Sequence, residues 1–275
     1  MFDFGMCLMS GLFLGIIYYN KGFEAGLPAF VIGACEQADI LDICLQPKSD
    51  PYIGQSTLTT LSLSLAATAS SMRVFGNEKA VFKRESESYS STEAYYMGKS
   101  LAHLPIQLLA PLFFAIPFYT LASPPVNFFL MYFLFFFTYF TSVSFSYLVS
   151  IVCKENISQL VGVLCVLISM MFGGAQPRLP VLQDKGLMAG LLYWPTFASY
   201  VRWAGEQYYL LVISNVPTVP KGSMQPGLDS EQMDQMLSDY YAYSFSDGPE
   251  CWIGMMIITI VVRILAYIAL VKKEP

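Results

Sequence analysis

Residues 128–153 read FFLMYFLFFFTYFTSVSFSYLVSIVC and contain no charged side chain. A bilayer core of about 30 Å is crossed by roughly 20 apolar residues in a helix. Lipid cannot satisfy unpaired backbone groups, so a spanning segment is helical or part of a closed barrel. This run is too long for a barrel strand and does not alternate. It predicts a membrane-spanning helix, and its Phe and Tyr content predicts one that faces lipid.

On either side the pattern repeats. Upstream, 101–122 is apolar but carries Pro105, Pro111 and Pro117, which predict kinks. Pro124-Pro125 forces a short turn between these two spans. Downstream, Lys154-Glu155-Asn156 is a minimal hinge before a span over 157–173 that closes at Gly173-Gly174. Three further spans are expected at about 4–19, 52–75 and 252–271. The 52–75 span holds Ser56, Thr57, Thr59, Thr60, Ser62, Ser64, Thr68, Ser70 and Ser71. Small hydroxyl residues favour close helix packing and cross-helix hydrogen bonds, so this span belongs inside a bundle. The apolar segment 188–214 is broken by Pro195, Arg202 and Glu206. Charge at bilayer depth is expensive, so the segment reads as a re-entrant helical hairpin. The expected fold is an all-α membrane protein with six transmembrane helices, an amphipathic coupling helix in the loop 76–99, and an external loop over 215–250.

Composition agrees. Of 275 residues, 55% are hydrophobic and 13% charged, against roughly 25% charged in soluble domains. No basic patch for nucleic acid stands out. The six cysteines form no CxxC pair and His103 is the sole histidine, so neither a metal site nor a His-based catalytic set has support. No Walker loop occurs. Paired Asp residues, HExxH and a Ser–His set within the spans are also missing, which argues against an intramembrane enzyme. The first span lacks a basic leader and a cleavage site, so it reads as a span and not a signal peptide.

The loop charges orient the chain. Arg73, Lys79, Lys83, Arg84 and Lys99 cluster between the second and third spans, and Lys154 and Lys272-Lys273 fall on the same side. Acidic 20–51 and 218–250 fall on the other. The positive-inside rule makes the first side cytoplasmic.

The segment Asn77-Glu78-Lys79-Ala80-Val81-Phe82-Lys83-Arg84-Glu85 resembles the first intracellular loop of G-subfamily ABC transporters, the white/brown and multidrug-resistance half-transporter group. There a short coupling helix of the form E-[KR]-x-x-F-x-[RH]-E follows the second span. The following Tyr89, Tyr95, Tyr96, Gly98-Lys99 and Leu104-Pro105, the Phe172-Gly173-Gly174 end of the fifth span, and Tyr200–Glu206 also resemble that group.

The resemblance implies two six-helix domains side by side, each above a nucleotide-binding domain. ATP and Mg would be held by that domain, supplied by a preceding region or another chain. Glu78, Lys79, Phe82, Lys83, Arg84 and Glu85 would couple to it, with Phe82 as apolar anchor. Without the resemblance the same segment reads as a solvated helix whose lysines meet anionic lipid. Mapped onto this sequence, the family's substrate cavity falls on Leu63, Ala66 and Ser70 of the second span and on Val163, Leu167 and Met170 of the fifth. Two departures stand out. Ala66 replaces an aromatic that clamps flat substrates, and Ala175 and Gln176 replace a leucine plug.

The expected function is the membrane half of an ATP-driven exporter of lipids, sterols or amphipathic small molecules. Its partners would be a nucleotide-binding domain, a second half in a homo- or heterodimer, and membrane lipids. An ATP-independent channel, scramblase or scaffold is the alternative.

Several residues have local readings of their own. Arg202 and Glu206, at i,i+4, read as a structural ion pair, with a substrate or proton site as the alternative. Arg263 reads as a structural polar contact and His103 as a hydrogen-bonded interfacial histidine. Cys35 and Cys44 share the first external loop, where an oxidising exterior permits a disulfide; their spacing decides neither that nor two free thiols. Cys251 opens the last span and is placed to pair between subunits. Cys7, Cys153 and Cys165 read as packing residues.

The sequon Asn156-Ile157-Ser158 tests the orientation. Glycosidase treatment of the protein from a eukaryotic host is expected to leave its gel mobility unchanged; a shift lost on Asn156→Gln would invert the topology.

Overall fold

The computed structural model describes residues 2–21, 51–76, 91–174, 179, 193–215, 243 and 250–272. Among these, the structure is helical: α1 (Phe2–Ile17), α2 (Pro51–Gly76), α3 (Thr92–Ala122), α4 (Phe128–Val152), α5 (Glu155–Met171), α6 (Tyr200–Ile213) and α7 (Glu250–Val271). A further short helical stretch covers 193–198. Each of the six expected spans coincides with one helix. Three of them, α3, α4 and α7, are long and apolar enough to cross a membrane. The apolar α1 and α5 are shorter, with 16 and 17 residues. The 26-residue α2 is long, but its hydroxyls lower its hydropathy.

The turn between α3 and α4 follows from its residues. Ser123 adopts a left-handed conformation (φ 45°) and its N–H bonds the Tyr119 carbonyl, ending α3. Pro124-Pro125 cannot continue a helix. Asn127 then caps α4, its side chain accepting from the Phe129 N–H at 3.0 Å. The Tyr119 hydroxyl donates to the Val126 carbonyl at 2.8 Å and straps the turn. The helix α3 runs unbroken through its three prolines and begins nine residues before the expected span, inside the segment read as the coupling loop.

The centre of the bundle is the α2–α4 contact. Ser142 Oγ donates to the Ser64 carbonyl (3.1 Å), Ser146 Oγ to Thr68 Oγ1 (3.3 Å) and Ser150 Oγ to the Met72 carbonyl (2.8 Å), each pair separated by 78 positions. A constant offset means that the two helices run parallel. The successive rungs are four residues apart, so they share one helix face. Ser70 and Tyr139 Oη add a bond of 2.8 Å. Hydrogen bonds of this kind between membrane helices contribute about 0.6 kcal/mol each.

The prediction that α2 sits inside the bundle agrees with this burial. The prediction that α4 faces lipid does not. Its Phe-rich first half has exposed rings at Phe129 and Phe133, but Thr138, Thr141, Ser142, Ser144, Ser146 and Ser150 are all buried. On the other side of α4, Thr141 and Thr259 Oγ1 meet at 2.8 Å, joining α7. The hydroxyl stripe, not the aromatic content, sets which way α4 turns. Of the three helices long and apolar enough to cross a membrane, α7 is the least buried.

The α1–α3 contact is made by small residues. Gly11 and Gly15, a GxxxG pair, face α3. A Cβ on Gly11 would lie 2.5 Å from the Phe114 carbonyl oxygen, and one on Gly15 would lie 2.8 Å from Leu121 Cβ. Such backbone proximity is how helices associate where no hydrophobic effect drives them together. The Asp3–Arg73 ion pair at 2.9 Å ties the start of α1 to the end of α2.

Gly11→Val is expected to push α1 off α3 and lower the unfolding stability of the purified protein by about 1–3 kcal/mol. The check is thermal denaturation in detergent, with Gly5→Val, in open space, as the control that should not move it.

Candidate functional site

Three places in the bundle bear on function. The first is the foot of α2 and α3, on either side of residues 77–90. Glu78, Lys79, Phe82, Lys83, Arg84 and Glu85 lie outside the described residues. The flanking residues are described. Phe75, at the end of α2, stacks on Tyr96 at 5.6 Å and meets Tyr95 at 6.2 Å, both near the start of α3. It also packs edge-on against Tyr147 of α4 at 4.9 Å. Tyr147 Oη shares a 2.7 Å bond with His103 Nδ1, and Gln107 Nε2 donates to it at 2.9 Å. Both ends of segment 77–90 are therefore rooted in one aromatic and polar cluster. His103 is buried and hydrogen-bonded, close to its expected structural role.

Arg263 of α7 lies next to this cluster. Its Nε donates to Ser144 Oγ at 3.0 Å, and its guanidinium stacks over Phe140 at 4.1 Å. That is the structural polar contact expected from the sequence. Aromatic faces cover a charge that hydrocarbon would not tolerate bare.

The second place is an open groove of about 710 Å³ between α2 and α5. Its walls include Thr57 and Leu58 of α2 and Leu167, Met170 and Met171 of α5. Of the six mapped cavity residues, Leu167 (42% exposed) and the half-buried Met170 line this groove. Val163 is half-buried and not part of its wall. Leu63, Ala66 and Ser70 face the other way: they are 1%, 7% and 6% exposed, and Ser70 is bonded to α4. Their spacing does hold them on one face, but that face is packed inside the bundle, with Ser70 bonded to Tyr139 of α4. The open face of α2 runs through Gly54, Leu58, Leu61, Leu65 and Ala69, all half-buried or exposed. The signal for it was present in the sequence. Ser64 and Thr68 share the four-residue spacing of Ser142, Ser146 and Ser150, and reading the two sets as partners would have set the rotation of α2. At the lower end of the same interface, Gly162 of α5 packs closely on α2: a Cβ there would lie 2.8 Å from Thr68 Cγ2 and would displace the end of the Met72 side chain.

The third place is α6, buried on nearly all sides against α2, α4, α5 and α7. The Arg202–Glu206 ion pair forms at 3.8 Å, with the two side chains 8% and 5% exposed. Arg202 also donates to Thr196 Oγ1 at 3.1 Å, and its guanidinium lies over Phe197 (4.4 Å) and Trp203 (4.9 Å). The Trp203 ring in turn rests on Gly254 of α7, where a Cβ would come within 2.7 Å of it. Among the described residues, the polar contacts of Arg202 all stay within the bundle, which fits a structural pair.

The possible Cys35–Cys44 disulfide and the plug positions Ala175 and Gln176 lie outside the described residues. Cys251 is buried with a free thiol, as is Cys7, while Cys153 and Cys165 are half-buried thiols. Among the described residues no cluster of His, Cys, Asp or Glu could hold a metal.

Residues 1–211 match the family model described as ABC-2 type transporter. The chain belongs to the ABC-2 type transporter family. Among related proteins, the Protein white of Ceratitis capitata is 27% identical over 228 residues, 80% of this chain and 32% of that protein. The Protein white of Drosophila melanogaster is 27% identical over 204 residues, 72% of this chain and 29% of that protein. The ABC-type transporter claG of Penicillium crustosum is 29% identical over 164 residues, 57% of this chain and 22% of its own length. The chain thus spans a third or less of the curated relatives it matches. Similarity to the white proteins agrees with the resemblance carried by 77–85.

Breaking one partner of a buried pair leaves an uncompensated charge, at a cost of about 3–5 kcal/mol. Glu206→Gln or Arg202→Gln is expected to destabilise the ABC-2 domain by that order. The Arg202→Met, Glu206→Met double variant is expected to recover most of the loss. Denaturation of the three variants in detergent checks this, and a double variant as unstable as the singles would count against a purely structural pair.

Proposed function

We propose that the chain is the membrane half of an ATP-driven exporter. It crosses the bilayer six times, with α1, α2, α3, α4, α5 and α7 as spans and the stretch from 193 through α6 as a re-entrant hairpin. Two such halves face each other across α2 and α5, and ATP and Mg act in nucleotide-binding domains on the cytosolic side.

The observation that carries this reading is the clamp at Phe75, Tyr95, Tyr96 and Tyr147. A domain that switches between two states needs something that binds those states unequally. Closure of a nucleotide-binding domain on 78–85 displaces a segment whose two ends are both fixed in the same cluster. The displacement is then passed to α2 and α3 together, and through Tyr147 to α4. The α2 helix carries the motion to the groove it shares with α5, where apolar Leu58, Leu167, Met170 and Met171 suit lipids, sterols or amphipathic small molecules. Family membership and the similarity to white support the same reading.

The test is transport by the complete transporter containing this chain, reconstituted in liposomes with fluorescent phospholipid or sterol. Transport is expected to require ATP. Phe82→Ala with Glu85→Ala is expected to reduce it about tenfold, the scale of a coupling of about 1–3 kcal/mol, while ATP hydrolysis continues. Lipid movement undiminished without ATP would instead identify a channel or scramblase.

A further inference from the structure

Between the cytosolic halves of α3 and α7 lies a second groove, of about 520 Å³, which the exporter reading does not use. Its walls are chemically divided. Met97 and Leu101 of α3 form an apolar side and are 67% and 70% exposed. The opposite side carries Arg263, and the mouth carries Glu93, Tyr96 and Tyr267.

Two full charges of opposite sign therefore sit in one greasy groove, and they do not neutralise each other. Arg263 lines the groove and spends Nε on Ser144, and its guanidinium has no carboxylate at ion-pair distance among the described residues. A guanidinium in such a setting calls for an anion. Glu93 is exposed and accepts from the Tyr267 hydroxyl at 3.0 Å. Tyr267 and Tyr96 stand 5.9 Å apart beside it, an acidic and aromatic setting that attracts an organic cation.

The depths of the two charges are ordered as well. The Tyr96 hydroxyl donates to the Arg263 carbonyl at 3.3 Å. Arg263 is thus level with the first turns of α3, just below the apolar run that begins at Leu101. Tyr267 lies one helical turn, about 6 Å, further along α7. From the membrane outward the groove presents an apolar trough, then a cation, then an anion flanked by aromatic rings.

We infer that this groove binds one membrane phospholipid with a zwitterionic headgroup. The acyl chain lies on Met97 and Leu101, the phosphate accepts from Arg263, and the ammonium meets Glu93 and the two tyrosines. Separation of the charges by one helical turn matches the scale of phosphate and ammonium in phosphocholine or phosphoethanolamine. On the orientation proposed above, the lipid belongs to the cytosolic leaflet and wedges between α3 and α7 at the root of segment 77–90. It is a bound lipid of the leaflet, distinct from cargo in the α2–α5 groove.

The test uses the whole purified chain in nanodiscs containing a phosphatidylcholine with a photoreactive diazirine in its acyl chain. Crosslinked peptides are mapped by mass spectrometry. In parallel, native mass spectrometry from detergent compares retention of phosphatidylcholine, phosphatidylglycerol and diacylglycerol. Crosslinks are expected to concentrate on 97–104 and 264. Phosphatidylcholine should be retained about tenfold over the lipid without a headgroup, the order of one charge-assisted hydrogen bond. Arg263→Gln should lose that retention, whereas Glu93→Gln should shift preference towards phosphatidylglycerol. Leu101→Trp, at an exposed position, should fill the groove and abolish the crosslink without touching the core. Crosslinks spread evenly round α3 and α7, or equal retention of all three lipids, would overturn the inference. If Arg263→Gln fails to fold, Glu93→Gln and Leu101→Trp decide it: unchanged lipid preference and an unchanged crosslink would overturn it as well.

Discussion

Hydrogen bonding between hydroxyl side chains and backbone, across the parallel pair α2 and α4, is the contact on which the rest of the bundle depends. Lipid tails are as apolar as leucine, so helices in a bilayer gain little by hiding apolar surface from each other. What remains is close packing and polar bonds that hydrocarbon cannot replace. Ser142, Ser146 and Ser150 supply both: they are small enough to let α2 approach, and each bonds a group on α2. The rungs fix the rotation of α2, and that rotation decides which of its faces remains open towards α5. The α2–α5 groove, walled on α2 by Gly54, Thr57 and Leu58, thus opens along the same side of the helix as this interface, where Thr68 and Met72 meet both α4 and Gly162 of α5.

Charge inside the bundle is handled in one recurring way. Arg202 and Arg263 stand in different helices, yet each lies over an aromatic ring, at 4.4 and 4.1 Å, and each donates to one hydroxyl. The ring quadrupole supplies a partner that carries no charge of its own. Arg202 adds Glu206 and becomes an internal pair; Arg263 has no carboxylate at that range among the described residues and borders a groove. The difference separates a residue that closes a structure from one that leaves a donor for something else.

The foot of α2 and α3 joins these themes. Phe75, Tyr96, Tyr147, His103 and Gln107 make a mixed aromatic and polar cluster that links three helices where the chain leaves α2 and returns in α3. A cluster of this kind resists separation of the two ends and passes rigid displacement more readily than a flexible loop would. Small residues finish the task elsewhere, with Gly11 and Gly15 on α3, Gly162 on α2 and Gly254 under Trp203.

Much was legible in the sequence. Apolar runs, prolines and caps are local, so each expected span found its helix, and the hydroxyl content of 52–75 announced burial before any partner was known. The i,i+4 spacing of Arg202 and Glu206 was enough to pair them, because both sit on one helix. Rotation about a helix axis is another matter. It depends on which neighbours arrive, and no single helix contains that information. Phenylalanine in 128–137 pointed to lipid, while the serines from 142 onward turned α4 into the hub. Leu63, Ala66 and Ser70 were rightly placed on a common face, yet only the packed bundle decided that this face looks inward. The pairing of Arg263 with Ser144, 119 residues apart, likewise exists only once α7 lies against α4.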